Sequence, residues 1–379
     1  MIISKVEQFS LPDYSRGICN IINDELSVFG IEQKGKSLGL DLKKNRKTTL
    51  VFIDGFGWNL YSRSKNFKNI NSSKISSIFP SSTDSASISL VSGLSPGTHG
   101  IVGYKAFVKS TGAIIKPLEN TYASAFHGNN LLSGIGRLNQ MLKIDTIFNA
   151  LSRKKIKSVV ITPNFTAGSS FSSLIFDGAN EVIGYENIWD AFHIYRKAIE
   201  NDSIKFIHFY IPHVDTIEHI HGYESKEALE AAEYIIKKIA EINENKKTNT
   251  IITADHGHKM VDDIIDLSKN KKLIRKLDIP PYGDSRAPLF RSRYDIRSEL
   301  SQYSMKIFGK NEREILLGPI GKDMEDSLPD YMGAAMDSVG FTFNYKLKKK
   351  KGEKWYGEPA SNHGGLSPDE MEVPVLTLP

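Results

Sequence analysis

The sequence predicts an α/β protein: a mostly parallel central sheet between two layers of helices, with a small inserted lid. Two observations carry that prediction. Short apolar runs rich in β-branched and aromatic residues recur, and amphipathic helical patterns fall between them. TTLVFID (48–54), KSVVIT (157–162), IKFIHFYI (204–211) and NTIITAD (249–255) read as buried strands. TIFNALSRKKI (146–156) has its apolar residues at helical spacing and feeds directly into the strand at 157. ESKEALEAAEYIIKKIAEINENKK does the same between the last two strands, with its charges on the opposite face. Strand and helix alternating in this way require crossover connections, hence parallel strands covered on both faces. No internal repeat is visible.

Beyond residue 262 the pattern weakens, where PPYGDSRAPLFRSR and GPIGKDMEDSLPDYMG interrupt it with proline, glycine and charge. Residues 262–355 are therefore expected to form the inserted lid. Residues 1–261 and 356–379 form the core, which resumes at HGGLSPDEMEVPVLTLP. Residues 103–145 read as a smaller excursion near the same end.

The 379 residues exceed the usual size of one domain, which agrees with a core plus insertion. A net charge of +5 is small for this length. It argues against a nucleic-acid polymer as partner and would not repel a small anion. The KLKKKKGEK run at 346–354 reads as a solvated hairpin tip. The single cysteine, Cys19, excludes an intramolecular disulfide and a thiolate metal cluster. The first residues lack the pattern of a secretion signal, and no apolar stretch reaches the roughly eighteen residues of a membrane span. A soluble, cytoplasmic protein is expected.

In a parallel sheet, sites form beyond the carboxyl ends of the strands. Three predicted strands lead into residues that bind metals. IDGFGW supplies Asp54, PHVDTIEHIHG supplies Asp215 and His219, and ADHGH supplies Asp255 and His256. Asp215 and His219 are four apart, on one face if that turn is helical. Downstream, SNHGG adds His363 beside two glycines. His127, His193 and His208 read as structural residues. Three Asp and three His without a thiolate suit two divalent cations, zinc with manganese as the alternative. Two such ions about 3.5–4 Å apart would clamp an in-line phosphoryl displacement.

FPSSTDSASISLVSGLSPGTHG (79–100) has its loop at Pro80 and a helix starting near Thr83. A helix amino end offers free N–H groups to a phosphate, and a hydroxyl there can be the nucleophile. The competing reading is that Ser82 or Thr83 only caps the helix. The neighbouring ligand set favours a nucleophile.

FPSSTxSxSxSLVSGLSPGTHGIVGY, IDGFGW, DxxxH, ADHGH and NHGG, in this order, resemble the alkaline phosphatase superfamily, and within it the type I phosphodiesterase/nucleotide pyrophosphatase family. The resemblance runs from about residue 48 to the C-terminus. It implies the alkaline phosphatase-like three-layer αβα fold. It also implies that Asp54, Thr83, Asp255 and His256 hold one ion while Asp215, His219 and His363 hold the other. Thr83 falls at the family's nucleophile position, which implies a phospho- or nucleotidyl-threonine that water then hydrolyses. The implied substrate is a small phosphorylated molecule, a nucleotide among the candidates.

The family's nucleotide pyrophosphatases often carry TFPN at the nucleophile, whereas this chain has Thr83, Asp84, Ser85 and Ala86. Ser85, the backbone N–H groups after Thr83 or Lys105 would then replace the missing amide donor. Arg286 and Arg291 are candidates to hold a phosphate or a leaving group. His258 reads as a residue that orients a ligand or as a surface residue, and so does His221. Trp58 and Tyr104 are candidates for core packing or for stacking a base. No C/S-x-P-x-R motif lies near Thr83, so the resemblance does not extend to sulfatases. The alternatives to a diesterase are a phosphomonoesterase of the same superfamily and a non-catalytic metal-binding module.

Overall fold

In the computed structural model, which describes residues 9–124, 138, 142–345 and 359–378, the central sheet has seven strands. They are β1 (Lys47–Ile53), β2 (Asn71–Ser76), β3 (Ser158–Pro163), β4 (Glu181–Tyr185), β5 (Phe206–Ile211), β6 (Thr248–Thr253) and β7 (Glu372–Leu378). Their spatial order is β2-β7-β6-β1-β5-β3-β4. β1 runs parallel to both neighbours, with Phe52 level with Tyr210 on β5 and Thr253 on β6. β3 is parallel to β5 and β4, and β7 runs antiparallel to β6 and β2.

The four strands expected from the sequence are present within two residues of their expected limits. β2 and β4 sit at the two edges of the sheet. The β2 sequence NSSKIS is largely polar because one flank of that strand is open apart from a bridge between Ser76 and Gly17, so it shows no apolar run.

Adjacent residues on β5 show that both faces are covered. His208 packs against Phe148 and Phe176, while Phe209 packs against Phe192 and Tyr195 on the other side. Phe148 belongs to α3 (Ile147–Arg153), which packs with α2 (Thr83–Ser92) and, through it, α1 (Ile21–Val28). Phe192 and Tyr195 belong to α4 (Ile188–Glu200), which packs on α6 (Lys226–Asn243), as does α5 (His213–His221). Each buried Phe, Leu or Ile contributes about 1.5–3 kcal/mol by leaving water. The side chains of Thr146, Asn187 and Ser225 accept backbone N–H bonds at the starts of α3, α4 and α6, each worth about 1 kcal/mol.

Among the described residues of 262–355, Tyr282–Gly283, Pro288–Phe290, Met305–Gly309 and Tyr331–Ala335 form an antiparallel sheet. Asp263–Asp266 pairs in parallel with Val339–Thr342. Leu267, Phe290, Ile296, Leu300 and Phe341 make an apolar cluster of their own. Leu289, Leu316 and Met332 instead join Phe79, Val102, Leu366 and Met371. This region is thus folded against the loops that precede Thr83 and follow His363. In the smaller excursion, Ala106–Val108, Ala113–Lys116 and Thr121–Tyr122 form a three-stranded sheet. The basic run at 346–354 and His127 lie outside the described residues. No helix among the described residues is long and apolar enough to cross a membrane.

Candidate active site

Three neighbouring parallel strands aim their carboxyl ends at one place. β1 ends before Asp54, β6 before Asp255 and His256, and β5 leads through Pro212 into α5, whose first turn carries Asp215. The Asp215 N–H donates to the Asp54 carbonyl at 3.0 Å, which fixes one strand end against the other. Gly55 makes that approach feasible. It sits at φ +77°, and a Cβ there would lie 2.8 Å from the Asp215 Cα.

Thr83 is the first residue of α2. Ser82 precedes the helix with extended backbone, and its side chain makes no capping bond. The Thr83 hydroxyl is not a cap either. Its Oγ1 lies 3.3 Å from Asp54 Oδ1 and 3.3 Å from His256 Nε2. His256 Nε2 is in turn 3.3 Å from Asp255 Oδ2 and 3.6 Å from Asp54 Oδ1. Asp54, Asp255 and His256 each offer one ligand atom, and those atoms lie within 4.8 Å of one another. Tyr210, on β5, donates to Asp54 Oδ2 at 2.5 Å and holds that carboxylate in place.

The second group abuts the first. The rings of His256 and His363 stack with centroids 3.6 Å apart. Asp215 Oδ1 lies 3.3 Å from His219 Nε2, 2.9 Å from His258 Nε2 and 3.8 Å from His363 Nε2. The opposite nitrogens are committed elsewhere. His219 Nδ1 donates to the Ser361 carbonyl at 3.0 Å, and His363 Nδ1 donates to the Ser81 carbonyl at 2.9 Å. A ring whose Nδ1 carries the proton presents a bare Nε2 lone pair, and several such lone pairs converging on a carboxylate fit a cation. Gly364 lets the His363 loop close on this site; at φ +114°, its Cβ would lie 2.5 Å from the Asp284 Cβ.

The electrostatics fit the same group. Burial, reinforced by Asp255 and Asp215, pushes the Asp54 carboxyl well above its usual range. Burial raises Asp255 to about 6. Asp215 is also raised by burial, but His219 and His258 outweigh that and hold it well below the ordinary carboxylate range. Burial drives His256 and His363 well down, so both rings are neutral, as ligands must be. Divalent cations among these groups would displace the proton that burial keeps on Asp54 and replace the positive charge that His219 supplies to Asp215.

The type I phosphodiesterase/nucleotide pyrophosphatase family model matches residues 48–280, over half of the 379 residues. The chain belongs to this family. No curated protein matches it. Among solved structures, murine ectonucleotide pyrophosphatase/phosphodiesterase 5 is similar at 15% identity and a TM-score of 0.62, over 87% of this chain and 88% of that one. The same protein in complex with AMP matches over 88% of each chain, at 15% identity and a TM-score of 0.62. Phosphonoacetate hydrolase from Sinorhizobium meliloti, in complex with phosphonoacetate, is 16% identical with a TM-score of 0.62, over 88% of this chain and 89% of that one. At these identities the likeness establishes the fold, an alkaline phosphatase-like αβα arrangement.

Two of the substrate-binding expectations need correction. Arg286 is fully buried, with Nε on Glu370 at 2.8 Å and its other nitrogens on the carbonyls of Asp337, Val339 and Ala335. Its guanidinium is occupied within the fold. Ser85 is also fully buried, donating to the Ile101 carbonyl and accepting from Gly103 N, so its hydroxyl braces a loop. Arg291 donates to the Asp326 carbonyl and lies over the Phe107 ring, 5.0 Å from its centroid. Lys105 is different. Its amine lies over the Tyr104 ring, 5.2 Å from the centroid, and its charge faces Asp284. Tyr104 donates to Glu119, and Trp58 packs on Tyr61. His193 and His221 are exposed. His208 is buried among aromatic rings, with no hydrogen bond to Nδ1.

Sequence patterning assigns no role to Tyr210 or Glu218 and leaves two readings open for His258. Tyr210 gave no signal, because nothing in a strand's apolar run marks a hydroxyl that reaches the site. Glu218 did give one: Asp215, Glu218 and His219 stand at i, i+3 and i+4, which is one helix face.

Proposed function

We propose that this chain hydrolyses phosphodiester or pyrophosphate bonds with two divalent cations, through a covalent phospho-threonine at Thr83. The observation that carries the reading is the hydroxyl at the start of α2, which faces Asp54 and His256 instead of capping the helix. Asp54, Thr83, Asp255 and His256 would hold one cation, and Asp215, His219 and His363 the other, with zinc expected and manganese the alternative. When bound, these ions supply the charge that offsets the phosphate oxygens and favours the ionised hydroxyl.

The chain's own groups do the rest. Tyr210 fixes Asp54, and the amino end of α2 directs its dipole toward the phosphate. Thr83 Oγ1 forms a bond to phosphorus as the leaving oxygen departs with its electron pair. Water then attacks the threonyl ester and restores the hydroxyl. The described residues of 262–355 serve as the lid over the nucleophile loop, a role supported by the cluster that several of them share with Phe79 and Val102.

One observation favours phosphomonoesters as a second reading. Asp84 is buried and accepts from Leu118 N, so no side-chain amide follows the nucleophile, while Lys105, its charge opposed by burial and supported by Asp284, is the cationic candidate. Zinc- or manganese-loaded protein tested on a p-nitrophenyl phosphomonoester, the matching nucleotide diester and a phosphonate separates the readings. Preference for the diester supports the first, and preference for the monoester the second. Thr83→Ala should lower turnover by about four orders of magnitude or more while retaining bound metal. Normal turnover in that variant would remove Thr83 as nucleophile.

A further inference from the structure

His258 and Glu218 form a buried pair beside the second ligand group that the function above does not use. Both are completely buried. His258 Nδ1 lies 3.0 Å from Ser361 Oγ, and that hydroxyl donates its own proton to the Glu218 carbonyl at 2.7 Å. The Ser361 oxygen is therefore the acceptor for His258, which places the ring proton on Nδ1. Nε2 then faces two carboxylates, Asp215 Oδ1 at 2.9 Å and Glu218 Oε2 at 3.5 Å. That nitrogen needs positive charge between it and these oxygens, which either a second ring proton donated to Asp215 or a metal cation supplies. Glu218 carries a second, independent sign: neither of its carboxylate oxygens has a hydrogen-bond partner, although the side chain is fully buried.

The separations around Asp215 and His258 are those of donors to one ion. Two donors each about 2.1 Å from one cation lie about 3.0–4.2 Å apart for ligand angles between 90° and 180°. Around Asp215 and His258 the observed separations are 2.9, 3.3, 3.5 and 3.8 Å. Asp215, His256, His258 and His363 also offer ligand atoms all within 4.8 Å of one another.

We propose that His258 is a fourth protein ligand, and Glu218 a fifth, to the cation held by Asp215, His219 and His363. This rests on the two-cation reading above and extends its ligand set. Five nitrogen and oxygen donors exceed what tetrahedral zinc uses, so the site suits an ion that accepts five or six ligands, such as manganese, iron(II) or cobalt(II). They also leave that ion fewer positions open to substrate.

The test uses the full chain loaded with cobalt(II), because a cobalt-bound imidazole shows its ring N–H as a shifted, exchangeable proton resonance. Wild-type protein should show one such signal that disappears in His258→Gln, with the signals of the other bound histidines retained. Glu218→Gln should keep every signal but release the cation to a chelator with an affinity at least tenfold lower. Affinity alone cannot discriminate, since a residue that only orients a ligand shifts it by about 10–100-fold. An unchanged number of shifted signals in folded His258→Gln overturns the proposal and leaves the two-cation reading standing. Failure of wild-type protein to retain any cobalt overturns both. Should His258→Gln not fold, His258→Asn and Glu218→Gln give the same two readouts, and unaltered signals and affinity in both refute the assignment.

Discussion

Replacing Arg286 by glutamine tests whether that arginine serves the substrate or the fold. The guanidinium is fully buried, 2.8 Å from Glu370 Oε1 and 2.7 Å from the Val339 carbonyl. Glu370 also accepts from Gly365 N and from Ser367 N and Oγ, so the pair fastens the turn that follows His363. Removing the cation leaves a buried carboxylate without a counter-charge, which costs about 3–5 kcal/mol. Glutamine recovers only part of the donation to the carbonyls, and each orphaned carbonyl adds about 1 kcal/mol. A loss of about 3–6 kcal/mol is expected, a large share of the roughly 5–15 kcal/mol that holds a native protein together. Urea unfolding followed by tryptophan fluorescence measures it, alongside KM for the folded variant. The double change Arg286→Met with Glu370→Gln removes both charges and should regain at least half of the loss. A loss below about 1 kcal/mol together with a raised KM would refute this account and return Arg286 to the substrate.

Tyr210→Phe removes the donor to Asp54 and should weaken cation binding about tenfold or more, read by chelator competition. Gly55→Ala introduces a Cβ 2.8 Å from the Asp215 Cα at a positive φ; bound metal and activity should fall together, as metal analysis and turnover would show. Glu25 is fully buried with neither carboxylate oxygen hydrogen-bonded, and burial raises its pKa well above 4.5. The folded state keeps that proton, so the group favours folding below about pH 4.5 and progressively opposes it as pH rises, by about 1.4 kcal/mol per unit until the folded group itself titrates. Glu25→Gln should therefore gain stability relative to the wild type between pH 5 and 7, and denaturation midpoints that shift equally at both pH values would contradict this.

The interior of the fold was legible because β1, β3, β5 and β6 are buried on both faces, which turns their sequences into unbroken apolar runs. Edge strand β2 was not, since its largely open flank lets serines and lysine occupy it. Asp54, Asp215, Asp255 and His256 were legible for a related reason: each follows an apolar run whose end must lie at the carboxyl edge of the sheet. Arg286 and Ser85 misled because a polar side chain in a glycine-rich segment looks the same in sequence whether it turns outward to a substrate or inward to a carbonyl.

The amino-acid sequence by itself determined the parallel αβα core, the set of nitrogen and oxygen donors at its edge, and the presence of a hydroxyl at the start of α2. Patterning fixes these, because burial repeats with the period of strand or helix. The tertiary structure alone decided where each polar group points: Thr83 toward Asp54 and His256, Arg286 toward Glu370, and His258 with Glu218 toward Asp215. Those directions depend on partners up to 173 residues away in the chain. No local periodicity encodes which buried donor will find which buried acceptor.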